Sequence, residues 1–399
     1  MEESILLLVA VALFFYGLLA RRIEQADITA PMIFTLLGVI CGPLGLSLIS
    51  GSPDNSSIFF VAELTLALVL FTDASQVQLK HLGQFEYFPL RLLSIGLPLT
   101  IIAGAAFAYW LLPIGMVAAL LLAIILTPTD AALAQSVMEQ KSINHNLREA
   151  VNIESGLNDG IALPILLMAL ALHSLSGGDQ LDGAYWGEFI ATQLIAGTII
   201  GVLVGRVGSY LINIACQRDW ISPVYQRLSS ISLAIIAFSL AEVFHGNGFI
   251  AVFLAGLFLK TQHEVVIERL KEFGEAEGEL LTLAVFFIFG VIFVPMAWPY
   301  INWNTLVYAL FSLTLARMLP VWLSLAGTRL NLKEKLFLAW FGPRGIASVL
   351  YLLLVMEEFG FDQNSETLQT IAATSVVAIL LSIFLHGAST KFWIKAFQR

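Results

Sequence analysis

The sequence predicts an all-α polytopic membrane protein with 13 transmembrane helices. Three observations predict it. Apolar runs close to 20 residues recur from one end of the 399-residue chain to the other, and that is the length an α-helix needs to cross a hydrocarbon core about 30 Å thick. Only 12% of residues are charged and 58% are hydrophobic, with a mean hydropathy of +0.85, whereas soluble domains hold about 25% charged residues. Basic residues fall in every second loop and are absent from the loops between, as expected of helices that thread the bilayer alternately.

The first run, 4–20, follows Glu2 and Glu3 and precedes Arg21 and Arg22. A signal peptide has its charges the other way round, so this run reads as a retained span. Further spans are expected at 31–50, 57–76, 91–112, 114–137, 150–173, 188–214, 224–243, 246–261, 280–298, 304–325, 336–357 and 367–387. Arg21 and Arg22 lie in the first loop, Lys80 and Arg91 at the third, Lys141 and Arg148 at the fifth, and Arg218 and Arg227 at the seventh. Lys260, Arg269 and Lys271 belong to the ninth loop, Arg329, Lys333 and Lys335 to the eleventh, and Lys391, Lys395 and Arg399 to the tail. The intervening loops hold acids such as Asp179, Asp182, Asp362 and Glu366. The positive-inside rule then sets the N-terminus outside and the C-terminus in the cytoplasm of a multi-pass cell-membrane protein.

The net charge of −9 gives no basic footprint for nucleic acid. Cys41 and Cys216 both lie in or beside apolar runs, so no disulfide framework is expected. The loop after the ninth span, TQHEVVIERLKEFGEAEGELL, spaces Val265, Val266, Leu270 and Phe273 helically among charges. It reads as a solvated amphipathic helix, with a pH-sensing linker around His263 as the functional alternative.

An ionisable group at the centre of a membrane helix costs about 2.5–3.5 kcal/mol on insertion scales, so each one is a functional candidate. Here they are Glu63, Asp73, Asp130, Glu154, Asp159, Glu242, Arg317 and Arg344. Glu63 and Glu242 are expected to be structural, and Arg317 to pair locally or reach toward the cytoplasm. The richest stretch is ESGLNDG, Glu154 to Gly160. Asp159 lies roughly 13 Å into the sixth span, near the midplane. Ser155 shares its helix face, and Glu154 and Asn158 share the adjacent one.

Two other spans are interrupted. The fifth, LLLAIILTPTDAALAQ, contains Pro128, which removes a backbone donor, with Thr127, Thr129 and Asp130 placed to satisfy the freed groups. The twelfth, KLFLAWFGPRGIASVLYLLL, breaks at Gly342, Pro343 and Gly345, with Arg344 at the break. Spans seven apart run in opposite directions. Two Pro/Gly-broken spans in matching positions of oppositely oriented halves indicate a transporter built from inverted repeats. Broken helices leave partly positive N-termini and partly negative C-termini in the membrane. Asp130 can offset the former and Arg344 the latter. Arg344 needs a counter-charge, for which Glu154 is the expected partner and Asp73 the competitor. That pairing leaves Asp159 and Asp130 as free carboxylates, joined by Ser155 and Thr129 oxygens. Such hard oxygen ligands suit a small cation such as Na+, and a desolvated carboxylate can take a proton instead.

With TPTDAALA, ESGLNDG and FGPRG at their respective breaks and depths, the chain resembles a sodium/proton exchanger of the cation/proton antiporter 1 family, close to its prokaryotic NhaP-type members, over essentially its whole length. The resemblance implies crossed discontinuous helices 5 and 12. It implies a core transport domain (86–175 and 301–399), a dimerisation domain (1–85 and 223–300) and a linker helix (176–222). It further implies a homodimer in lipid, an elevator-like movement of the core, no cofactor beyond the transported Na+ and H+, and a role in pH homeostasis. By motif match Asp159 is the ion- and proton-binding carboxylate, and Asp130, Ser155 and the Thr129 backbone complete the coordination. Asn158 braces the break in span 5, and Glu154 pairs with Arg344. Asn at 158, rather than Asp, resembles the electroneutral one-for-one class.

The competing readings are a K+/H+ exchanger, a sodium-coupled solute symporter, an intramembrane aspartyl protease and a channel. A symporter needs a second, larger polar pocket, of which the sequence shows no obvious sign. A protease of this kind resembles a Tyr-Asp and Gly-x-Gly-Asp pairing, and neither motif occurs. A channel needs no alternating-access breaks.

Overall fold

A computed structural model describes residues 2–24, 28–49, 51, 56–77, 88–130, 133, 143–176, 183–261, 264–362 and 364–398. Every regular element among them is helical. In chain order these are α1 (Glu2–Glu24), α2 (Ala30–Cys41), α3 (Ser56–Gln76), α4 (Phe88–Leu111), α5 (Met116–Ile125), α6 (His145–Ser176) and α7 (Gly183–Gln217). Then follow α8 (Pro223–Val243), α9 (Gly248–Phe258), α10 (Glu264–Ile288), α11 (Trp303–Ser324), α12 (Leu332–Trp340), α13 (Ile346–Glu358) and α14 (Glu366–Gln398). Among the described residues eight helices are long and apolar enough to cross a membrane, and α2, α5, α9 and the Leu7–Ala20 part of α1 form shorter apolar helices. Lys80, His81, Lys141, Asp179, Asp182 and His263 lie outside the described residues.

The apolar runs fall on these helices, with differences that have local causes. The run at 31–50 is helical only to Cys41, because Gly42 turns extended (φ −81°, ψ −172°) and Pro43 follows. The loop expected to hold a separate amphipathic helix is instead the first part of α10, which runs unbroken from Glu264 into the next apolar run. Val266 and Leu270 are buried there while Val265 and Ile267 are exposed. α10 continues through a π turn at Phe289–Phe293 to Tyr300, and α4 holds another at Leu92–Gly96. Each π turn ends two residues before a proline, Pro295 and Pro98. Proline cannot donate the next i→i−4 bond, and widening the preceding turn relieves its ring of the carbonyl it would strike.

The chain forms two compact units, one of residues 1–60, 82–158 and 282–399, the other of 61–81 and 159–281. In the second unit α7 lies along α9. Gly197, Gly201 and Gly205 recur every four residues on the contact face, and a Cβ on Gly201 would strike the Ala251 carbonyl and Cα. Helices without a hydrophobic drive between them associate through such close backbone contact. Gly201→Val is therefore expected to lower the melting temperature in detergent, since overpacking costs about 1–3 kcal/mol. Gly278→Ala, where a Cβ meets nothing within 4 Å, should leave it unchanged or raise it slightly. Equal melting temperatures for Gly201→Val and wild type would refute the contact. Glu242, expected to be structural, accepts from the Gly248 N–H at 3.0 Å, and Asn247 accepts from Ile250 N–H at 3.0 Å, so the two side chains cap the start of α9.

Candidate functional site: two non-helical segments and their charges

The first unit contains both breaks. α5 stops at Ile125, and Leu126 to Asp130 continue without helix. The Thr127 hydroxyl turns back to the Ala123 carbonyl at 2.7 Å. The second break separates α12 from α13 and consists of Phe341 to Gly345. The two non-helical segments bond to each other, since the Asp130 N–H donates to the Pro343 carbonyl at 2.8 Å. Irregular backbone at membrane depth persists only where protein satisfies it.

Charges of opposite sign sit at the broken ends. Arg344 is fully buried and its Nη1 donates to the Thr127 carbonyl at 2.8 Å and to that of Pro128 at 3.4 Å. These carbonyls follow the C-terminus of α5, where the helix dipole is negative. The half-buried Asp130 carboxylate accepts from the Ile346 N–H at 3.4 Å, at the first residue of α13, where the dipole is positive. Gly345 makes this approach possible, because a Cβ there would collide with the Asp130 carboxylate. Gly342 has a parallel role, its missing Cβ leaving room for the Arg317 guanidinium. Gly345→Ala is expected to lower the melting temperature by overpacking the Asp130 cap, at a cost of about 1–3 kcal/mol. A wild-type melting temperature for that variant would remove the steric reason for glycine.

α6 supplies the residues that grip the first break. Ser155 Oγ donates to the Thr129 carbonyl at 2.7 Å, and Asn158 Nδ2 donates to Thr129 Oγ1 at 2.5 Å. Ser155, Asn158 and Thr129 are all buried. The structure thus brings Thr129 together with two of the polar residues of ESGLNDG. Asp159, the next residue of α6, is 6% exposed and begins the 159–281 segment of the second unit. Gly160 beside it packs against the Phe253 ring of α9 so closely that a Cβ would strike the ring. Asp73 and Glu63 are half-buried on α3.

The expected pairing of Glu154 with Arg344 is corrected. Glu154 Oε1 lies 2.8 Å from Arg317 Nη2, and each residue is 4% exposed. Arg344 instead gives its guanidinium to the Thr127, Pro128 and Ser312 carbonyls. Ranking acids by depth could not separate two arginines at similar depth. α11 is broken at Thr314 (φ −111°, ψ −92°), three residues before Arg317. Pro320 inside the same helix was the sequence signal for an irregular, buried span there.

The chain is similar to a described family, to two curated relatives and to a solved structure. The family described as sodium/hydrogen exchanger, transmembrane, matches residues 9–396. Among curated relatives, the K(+)/H(+) antiporter NhaP of Alkalimonas amylolytica is 25% identical over 357 residues, covering 88% of this chain and 61% of that protein. The chain thus spans about three fifths of the length of that relative. The Na(+)/H(+) antiporter NhaH of Halobacillus dabanensis is 25% identical over 410 residues, covering 98% of this chain and 96% of that protein. The solved structure of the sodium proton antiporter MjNhaP1 from Methanocaldococcus jannaschii at pH 8 superposes with a TM-score of 0.81 at 21% identity, covering 100% of this chain and 99% of that one. The last likeness is one of fold.

Proposed function

The chain belongs to the sodium/hydrogen exchanger family, and from that premise we propose that it is an NhaP-type antiporter that exchanges Na+ or Li+ for H+, one for one, with cation and proton competing for Asp159. The observation that carries the reading is the grip of α6 on Thr129 by Ser155 and Asn158, with the buried Asp159 next in the sequence. Asp130, Ser155 and Thr129 are proposed to complete the coordination. Glu154, Asn158, Arg344 and Asp73 are proposed to support it. A single carboxylate that holds either one Na+ or one proton carries the same charge in both forms, and Asn158 adds none.

The proposal includes the 13-span frame, with two inverted repeats and crossed discontinuous helices 5 and 12. It includes the core, dimerisation and linker segments given by the resemblance, a homodimer, and an elevator-type movement that presents the site to either side. The N-terminus is proposed to face outside and the C-terminus the cytoplasm of the cell membrane, with pH homeostasis as the physiological role. The alternation of basic loops supports the orientation.

The K+/H+ reading is the second one, favoured by the function named for the Alkalimonas relative. A carboxylate and hydroxyl site selects among Na+, Li+ and K+ by cavity size. Proton flux in proteoliposomes under Na+, Li+ and K+ gradients, compared at two pH values, decides between them. Flux with K+ alone overturns the sodium reading, and flux with none of the three overturns exchange itself. One-for-one stoichiometry predicts equal rates with and without an imposed membrane potential. Clear acceleration by voltage would overturn it.

A further inference from the structure

We propose that His386 is a positioning residue for the exchange site, holding both ends of the interruption between α12 and α13 in place. The proposal deepens the exchange reading and rests on it. His386 stands at the end of the apolar run 367–387, and it lies within the 33-residue α14 and is 1% exposed. Its Nε2 lies 3.0 Å from the carbonyl of Trp340, the last residue of α12. A carbonyl only accepts, so the tautomer with Nε2 protonated serves it. Nδ1 is then the acceptor; it faces the Ser382 carbonyl at 3.0 Å and Ser382 Oγ at 3.3 Å, and of these only the hydroxyl can donate to it. The same Ser382 oxygen accepts the Arg344 N–H at 2.6 Å. One imidazole therefore reaches the chain just before the break directly and the chain within it through one hydroxyl.

The attachment is reinforced from the same helix face. Ser382, His386 and Ser389 are spaced at four and three residues, which aligns them on one stripe of α14. The Trp340 indole N–H donates to Ser389 Oγ at 2.9 Å, that hydroxyl donates to the His386 carbonyl at 2.9 Å, and the two rings lie 4.9 Å apart. Between the two anchored points stands Pro343, whose carbonyl receives the Asp130 N–H. Just beyond them stands Ile346, whose N–H meets the Asp130 carboxylate. Freeing Trp340 and Arg344 from α14 thus frees the two groups that hold Asp130. A histidine that merely filled the core would affect stability and leave cation affinity alone.

The test uses full-length protein in proteoliposomes with Na+ as the probe. His386→Leu keeps volume and loses both bonds, His386→Gln keeps one donor and one acceptor, and Ser382→Ala cuts the link to Arg344. Apparent KM and kcat for Na+, melting temperature, and deuterium exchange of the amides at 341–346 are measured for each. His386→Leu and Ser382→Ala are expected to raise KM about five- to tenfold, the size of one or two lost hydrogen bonds. Their kcat should change less and their 341–346 amides should exchange faster, while His386→Gln stays within about twofold of wild type. Unchanged KM and amide exchange in His386→Leu would overturn the proposal. So would equal losses in the Leu and Gln variants that follow lowered melting temperature alone. If His386→Leu does not fold, Ser382→Ala carries the same expectation and the same refutation. If the wild-type protein exchanges none of Na+, Li+ and K+, the exchange reading fails, while the amide measurement still tests the brace.

Discussion

Asp159→Asn is expected to abolish cation/proton exchange while leaving a folded protein. The substitution keeps the shape of a side chain that is 6% exposed and removes its charge and its site for a proton. A neutral amide cannot release a proton to admit a cation, so proton flux in proteoliposomes should fall to the level of empty liposomes. Stability should not fall with it, because an ionisable group at membrane depth is a cost that function retains. The variant should therefore melt at or above the wild-type temperature. A ligand that binds only the folded state stabilises by RT ln(1 + [L]/Kd). Any rise in melting temperature that Na+ gives the wild type should accordingly be absent from the variant. Exchange retained by Asp159→Asn would remove the residue from the transport cycle. Loss of exchange together with loss of folding would make its role structural.

Much of the arrangement was legible because membrane insertion leaves few ways to place a polar group. Pro128 at one break and Gly342, Pro343 and Gly345 at the other mark where helices stop, and Asp130 and Arg344 stand at ends whose dipoles their charges oppose. Ser155 and Asn158 were readable as members of two adjacent polar stripes of α6 from spacing alone. Partner choice was less legible. Glu154 had two arginines to choose from, and its partner Arg317 stands on a helix interrupted at Thr314, a break that hydropathy does not mark. His386 was missed for a related reason. A histidine beside small and apolar residues gives no periodic signal, and its partners come from α12 and from its own preceding turn. The early end of α2 and the unbroken α10 were boundary errors. In the first, Gly42 and Pro43 stopped a helix that hydropathy would extend. In the second, a charged amphipathic turn continued into an apolar one without a stop signal.

Arg317→Ala is expected to be the most destabilising single substitution in this cluster. Glu154 and Arg317 are each 4% exposed, and removing one partner of such a buried pair typically costs about 3–5 kcal/mol, because the other charge stays buried without its counter-ion. Arg344 cannot take over at no cost. Its guanidinium holds the Thr127, Pro128 and Ser312 carbonyls, and turning it toward Glu154 would strip the C-terminal end of α5 of its cation. Glu154→Gln should be costly for the opposite reason, since it would leave the buried Arg317 guanidinium without its counter-ion. The double variant Glu154→Gln/Arg317→Met removes both charges at once, and coupled sites depart from additivity by about 0.5–3 kcal/mol. It should therefore melt above the value obtained by adding the two single losses. Additive losses, or an Arg317→Ala variant as stable as wild type, would mean that the 2.8 Å contact contributes nothing to the fold. A severe loss in Arg344→Ala with little in Arg317→Ala would return Glu154 to the partner that depth alone first gave it.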